Sequence, residues 1–168
     1  MESTLTTERL TIIPCTLELV RAIMNNPHTL SAHFNATVQS DWPQSDLKEA
    51  LPHFLPRLEE DPQSYVWFVW VIVSNADQTV IGDIGFKGMP DSDGAVEIGY
   101  SILPAFRNRG FAFEAAHALI CWATRAGGAK RVVAECATDN APSVRLLDKL
   151  RMVRTGEDDE TIRWEFMI

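Results

Sequence analysis

A chain of 168 residues with 46% apolar and 23% charged side chains is long enough to bury a core without disulfide or metal staples, and too apolar for disorder to be its main state. Its formal net charge of −8 excludes general binding to nucleic acid, which needs a surplus of Lys and Arg. The longest apolar run, residues 66–73, falls well short of the roughly 20 residues of a membrane helix, so no membrane partner is expected.

Residues 9–14, alternating at Leu10 and Ile12, predict a first strand. Thr16 is placed to cap a helix running to Asn25 and ending near Asn26-Pro27. Helical spacing at Leu47, Leu51, Phe54, Leu55 and Leu58 predicts a helix over 45–58, with breaks expected at Pro52 and Pro56. Residues 65–73, rich in Val, Ile and Trp, read as a buried strand, and a turn at 75–78 returns the chain as its hairpin partner over 79–87. A second turn at 91–94 leads to a strand over 95–103, stopped by Pro104. A largely apolar helix follows over 109–126, ended by Gly127-Gly128. A strand at 131–136, a helix at 140–150 and closing strands at 152–155 and 161–167 complete the order. Strands crowd the first part and alternate with helices later, which predicts an α/β (α+β) fold in a single domain over 1–168.

Cys15, Cys121 and Cys136 are odd in number and form no C-x-x-C pair, the usage expected of reduced thiols in a cytoplasmic protein. The start shows no basic and apolar leader, and the four histidines form no H-E-x-x-H, so neither a signal peptide nor a metal site is expected. Charge is unevenly spread: residues 1–104 hold 5 basic and 14 acidic side chains, whereas 105–154 hold 9 basic and 4 acidic. One basic stretch in an acidic chain points to a local anion site.

Arg107-Asn108-Arg109-Gly110-Phe111-Ala112 is the sharpest motif within that stretch. It follows a strand and opens a helix, whose first turn offers unpaired N–H groups and partial positive charge. Gly110 lets a ligand approach the backbone, and two guanidiniums add fixed charge, so the pattern suits a phosphate, above all a pyrophosphate. No P-loop, no G-x-G-x-x-G and no G-x-S-x-G competes with it. A second motif, Asn140-Ala-Pro-Ser143, opens the next helix: Asn140 is placed to cap it, and Ser143 sits in its first turn.

Together these motifs are spaced as in the GNAT acetyltransferase superfamily, and the chain resembles its RimJ/RimL-like branch. The resemblance is carried by EIGYSILPAFRNRGFAFEA from Glu97 to Ala115, RVVAEC from Arg131, NAPSVRLLDKL from Asn140, and TERLTI from Thr7. Residues 27–64 match nothing useful. The resemblance implies one GNAT-like domain with a mixed, mostly antiparallel sheet flanked by helices on both faces. It implies an acetyl-CoA-dependent N-acetyltransferase with acetyl-CoA as co-substrate and a primary amine as acceptor, a protein N-terminus or a small-molecule amine. It implies that Ser101, Ile102 and Leu103 pair with the pantetheine arm, and that the amides of Arg107, Asn108, Arg109, Gly110, Phe111 and Ala112 hold the pyrophosphate. Asn140 would bond the pantetheine, with Ser143 near the thioester sulfur. Some relatives pair as dimers, so a homodimer is an open expectation.

The chain departs from the superfamily where Leu147 stands in place of a tyrosine that protonates the thiolate, and where Arg151-Met152 replace Gly-Phe. Ser143, or a water, is then the expected acid. Only a neutral amine attacks a thioester, so a base is required. Glu97, on the strand expected to line the acceptor channel, is the candidate catalytic base with Ser143 as its partner in the chemistry; Tyr100 alternates to the other face and reads as core or channel wall. The competing readings are a non-catalytic acyl-CoA-binding module, kept alive by Leu147, and a nucleotide-binding protein using the same anion site.

Overall fold

Strand β3 (Val69–Ser74) is buried along its whole length, and its alternation sorts the core into two layers. Trp70 and Ile72 join one cluster, while Val69, Val71 and Val73 join the other. The computed structural model describes residues 4–166. Around β3 lie β1 (Leu5–Thr6), β2 (Leu10–Pro14), β4 (Thr79–Phe86), β5 (Ala95–Ile102), β6 (Arg131–Ala137), β7 (Val153–Glu157) and β8 (Thr161–Phe166). They form one sheet in the order β1-β2-β3-β4-β5-β6-β8-β7. Every pairing is antiparallel except β5 with β6.

Helices α4 (Phe111–Arg125) and α5 (Ala141–Lys149) bury Phe111, Leu119, Ile120 and Leu147 in the first cluster. Helices α1 (Leu17–Asn25), α2 (Ser31–Phe34) and α3 (Ser45–Glu60) bury Val20, Phe34, Leu51 and Leu58 in the second. The sheet is therefore covered on both faces, as the resemblance implied. Trp122 of α4 packs within 5.1 Å of both Trp67 and Trp70, a contact of three indoles that pins α4 to β3.

Thr16 caps α1 as its position predicts, accepting from the Leu19 N–H. Two expectations need correction. Helix α3 is continuous through Pro52 and Pro56. Both prolines are exposed, so the carbonyls they leave unpaired face water, while Leu47, Leu51 and Leu58 keep the opposite face buried. Residues Pro62–Trp67 form a 3₁₀ turn, so the first part of the expected strand is turn and β3 begins at Val69. Asp61 caps that turn through the Gln63 N–H, and Pro62 supplies the fixed φ. Met167, expected to end the last strand, lies outside the described residues.

Glu114 in the first turn of α4 ties β2 to that helix. Its Oε1 accepts from the Thr7 hydroxyl and the Arg9 backbone N–H at 2.5 and 2.9 Å, and its Oε2 from the Arg9 guanidinium at 2.7 Å. Burial pushes this carboxyl up, but the bonds from Thr7 and Arg9 outweigh it and hold it below its ordinary 4.5. A lowered folded value stabilises the fold above the unfolded value and is lost as pH falls through the folded one. Glu114→Ala therefore lowers stability by about 1–3 kcal/mol at pH 7, read as a Tm drop in a thermal melt. The gap from wild type narrows once the pH falls below 4.5.

Candidate active site

Strands β5 and β6 pair only at Ala95–Arg131, Val96–Val132 and Glu97–Val133. Beyond Glu97, β5 stays on β4 while β6 stays on β8. Parallel strands that part in this way leave a wedge in the sheet, with main-chain groups of both edges unpaired. Leu103 gives its N–H to Ile81 on β4 at 2.8 Å. By ladder alternation Ser101 also faces β4, and the main chain of Tyr100 and Ile102 turns to the wedge. The Ile102 carbonyl accepts from Arg107 Nε at 2.8 Å, and Ser101 Oγ donates to Gln44 Oε1 at 2.6 Å.

The chain leaves β5 through Pro104–Phe106 and enters α4 at Gly110, which caps the helix at φ +81 with no side-chain bond. Asn108 also sits in the left-handed region, at φ 59. Left-handed and right-handed residues in succession turn consecutive N–H groups to one side. Among the described residues, the first backbone N–H after Arg107 to find a partner is that of Glu114, on the Gly110 carbonyl. The amides of residues 108–113 are thus open to a ligand, which is what a pyrophosphate needs. Arg109 lies over the Phe111 ring at 4.9 Å and 4.0 Å from Asp77. Arg107 folds back along β5 toward Gln44. A third guanidinium joins them: Arg9 donates to the Arg109 carbonyl at 2.8 Å and lies over Phe111 at 4.6 Å. Arg9 reads in the sequence only as a strand residue, since nothing local links it to a helix opening 100 positions later.

Helix α5 opens beside the wedge. Asn140 Oδ1 accepts from the Ser143 N–H at 3.2 Å, the cap that the motif predicts. Ser143 and Tyr100 both line the cleft here; burial pushes the Tyr100 phenol above its ordinary value, and the Ser143 hydroxyl pulls it partly back. Leu147 is buried against the sheet.

A cleft of about 450 Å³ passes through the wedge. From the α4–α5 face it is lined by Ile98, Tyr100, Asn140 and Ser143, and from the α3 face by Asp46, Phe54, Phe68, Asp83, Gly99 and Ser101. A Cβ at Gly99 would meet nothing within 4 Å, so this glycine leaves open space. Asp83 is buried, and its Oδ2 accepts from the Trp42 indole N–H at 2.9 Å. Burial pushes its carboxyl up to about 7; the Trp42 bond pulls down, and the Asp46 charge pushes further up.

The structure thus brings Ser101, Asn140 and Ser143 together at the cleft, with Arg107 to Ala112 at the end of β5. Glu97 shares a strand face with Gly99 and Ser101, but its carboxylate is held by Lys87 and does not line the cleft. Asp83 went unread in the sequence because a lone Asp in an apolar strand signals only a turn or an edge.

Residues 9–153 match the family described as "Acetyltransferase (GNAT) domain". The uncharacterized N-acetyltransferase YjdG of Bacillus subtilis is 30% identical over 97% of both chains. Among solved structures, the ribosomal-protein-S5-alanine acetyltransferase of Vibrio fischeri is similar at TM-score 0.69 and 18% identity, covering 99% of this chain and 97% of its own. RimL, a ribosomal L7/L12 α-N-protein acetyltransferase in complex with coenzyme A, is similar at TM-score 0.69 and 16% identity, covering 99% and 98%. These two likenesses establish the fold. With the family match across the wedge, the α4 amides and the α5 cap, the chain belongs to the GNAT acetyltransferase family, whose members draw their acetyl group from acetyl-CoA.

Proposed function

We propose that the protein transfers the acetyl group of acetyl-CoA to a primary amine by direct attack on the thioester, the acceptor being a protein N-terminus or a small-molecule amine. One observation carries this reading: a run of open amides at the start of α4 stands beside a cleft that crosses the sheet. A thioester held from the α4–α5 face and an amine entering from the α3 face meet in such a cleft without either passing the other.

The residues present fit the co-substrate. Amides 108–112 and the arginines around them suit two phosphates, the edge of β5 that faces the wedge at Tyr100 and at the Ile102 N–H suits an amide-bearing arm, and among the described residues Asn140 keeps its side-chain NH₂ free beside it. When bound, acetyl-CoA supplies an activated acyl carbon and a good thiolate leaving group. Ser143, which lines the cleft with Tyr100, is the hydroxyl that in this reading gives a proton to that thiolate, since Leu147 has none to give. Glu97, the base that the sequence offers, is held by Lys87, and it is Lys87 that lines the cleft. The ribosomal-protein acetyltransferases among the structural neighbours favour a protein N-terminus as the first acceptor to try. The binding-module alternative has Leu147 in its favour, and turnover decides between them.

Acetyl-CoA at 100 times its Kd stabilises the protein by about 2.7 kcal/mol, roughly 5–10 °C in Tm for a domain of this size. Arg109→Glu and Gly110→Trp abolish that shift, and an unshifted wild type sinks the reading. With a free-N-terminus peptide and spermidine as acceptors, Ser143→Ala lowers kcat by about 10- to 100-fold. Gly99→Leu, placed in open space, leaves the melt of the unliganded protein and the acetyl-CoA shift intact while turnover falls about tenfold or more.

A further inference from the structure

The geometry points to Asp83 as the carboxylate that receives the acceptor amine: its open oxygen holds the incoming ammonium and takes its proton before attack. This rests on the acetyl-transfer reading above and names the residue on which its acceptor half turns.

Position comes first. Along β4, Val80 pairs with Val73 and Gly82 with Ile72, so Ile81 is an extra residue in the strand. That bulge reverses the alternation downstream. Asp83 therefore faces the same side as its partners Val71 and Ser101, toward α3, whereas an unbroken strand would send it into the apolar layer under α4. The next pair on that face is Gly85 with Gly99; the Phe68 main chain packs onto Gly85, but a Cβ at Gly99 would meet nothing within 4 Å, so a bound amine has room over Gly99 beside the carboxylate.

Partners come second. Trp42 occupies Oδ2, and among the described residues no donor sits on Oδ1. Two other carboxylates near the cleft have cations of their own: Glu97 holds Lys87, and Glu135 lies 3.5 Å from Arg163. Among the described residues Asp83 has none, although a buried carboxylate without a cation is costly. An ammonium brought by the substrate completes the arrangement. Phe54 and Phe68 beside it make an apolar wall that strengthens the attraction by excluding water.

The proton inventory closes. An amine arrives as R–NH₃⁺, and Asp83 removes one proton, leaving R–NH₂ with a lone pair. Its nitrogen bonds to the thioester carbon, and the C–S bond breaks with its electron pair on sulfur. The second nitrogen proton reaches the thiolate by way of Ser143, and Asp83 returns its own proton to solvent through the cleft. A base with a value near 7 suits this task at neutral pH. The titratable groups sharing the cleft are Asp46 from α3, Lys87 just beyond β4, Tyr100 from β5, and Glu135 and Cys136 from β6.

Asp83→Asn keeps the shape and an oxygen for the Trp42 indole, and it is tested in two ways. The first needs no acceptor. A raised folded value costs the wild type stability as pH climbs from 3.8 to about 7, so the Tm of Asp83→Asn pulls ahead over that window and stays ahead above it. A Tm difference that is flat with pH, or an Asn variant that melts lower throughout, overturns the proposal. The second measures kcat/KM against pH with a free-N-terminus peptide and with spermidine. Wild type shows an acid limb near pH 7, and Asp83→Asn loses about 100-fold or more while its acetyl-CoA thermal shift remains. Trp42→Phe, which removes the bond that pulls the carboxyl down, moves the acid limb to higher pH. An Asp83→Asn enzyme within threefold of wild type, or an acid limb removed by Glu97→Gln instead, overturns Asp83 as the receiving group and leaves acetyl transfer standing. A wild type that binds acetyl-CoA yet acetylates neither amine overturns the acetyl-transfer reading, and this one with it.

Discussion

The active region depends on the short parallel pairing of β5 with β6. Three residue pairs join the two halves of the sheet, and past Glu97 and Val133 the strands part. A pairing one turn longer would close the wedge and satisfy the β5 edge with protein. A shorter pairing would leave fewer main-chain bonds between the halves, beside those that Lys130 and Arg131 give to the Gly94 carbonyl. The antiparallel ladders to either side hold the parted strands in place, β4 against β5 and β8 against β6. Each half is fixed by its own neighbour, so the gap persists without a ligand to prop it open.

Around that gap the charges are segregated. The guanidiniums of Arg9, Arg107 and Arg109 gather where β5 gives way to α4, together with a run of unpaired amides. Asp46 and Asp83 lie on the α3 side of the cleft. Two poles of opposite sign at two mouths of one passage favour an anionic donor at one and a cationic acceptor at the other. Arg9 apart, the split between an acidic first part of the chain and a basic stretch at 105–154 follows the same separation along the sequence.

Local signals carried much of this. Thr16 and Asn140 cap helices because a short side chain with an oxygen, followed by a helical pattern, has few other uses. Gly110 between a strand and an apolar helix marks an uncapped amide nest for the same kind of reason. Where a local rule met a tertiary demand, the demand won. Pro52 and Pro56 do not break α3, because both lie on its wet face while the dry face is anchored. Tyr65 to Trp67 have the composition of a strand, but Asp61 and Pro62 set a 3₁₀ turn that the Trp122 and Phe86 rings then pack against.

The sequence by itself determined most of the order of elements, though not β1 or α2, together with the caps, the open amides at the start of α4 and the family, all of which rest on neighbours a few positions apart. Tertiary structure alone decided which carboxylate enters the cleft. Glu97 lies on the right strand and is taken by Lys87 across the hairpin, whereas Asp83 is turned toward the cleft by one extra residue in β4 and held there by an indole 41 positions away. The physical reason is that facing and burial depend on strand register and on partners distant in the chain. A carboxylate's proton affinity follows from those, not from its immediate neighbours in sequence.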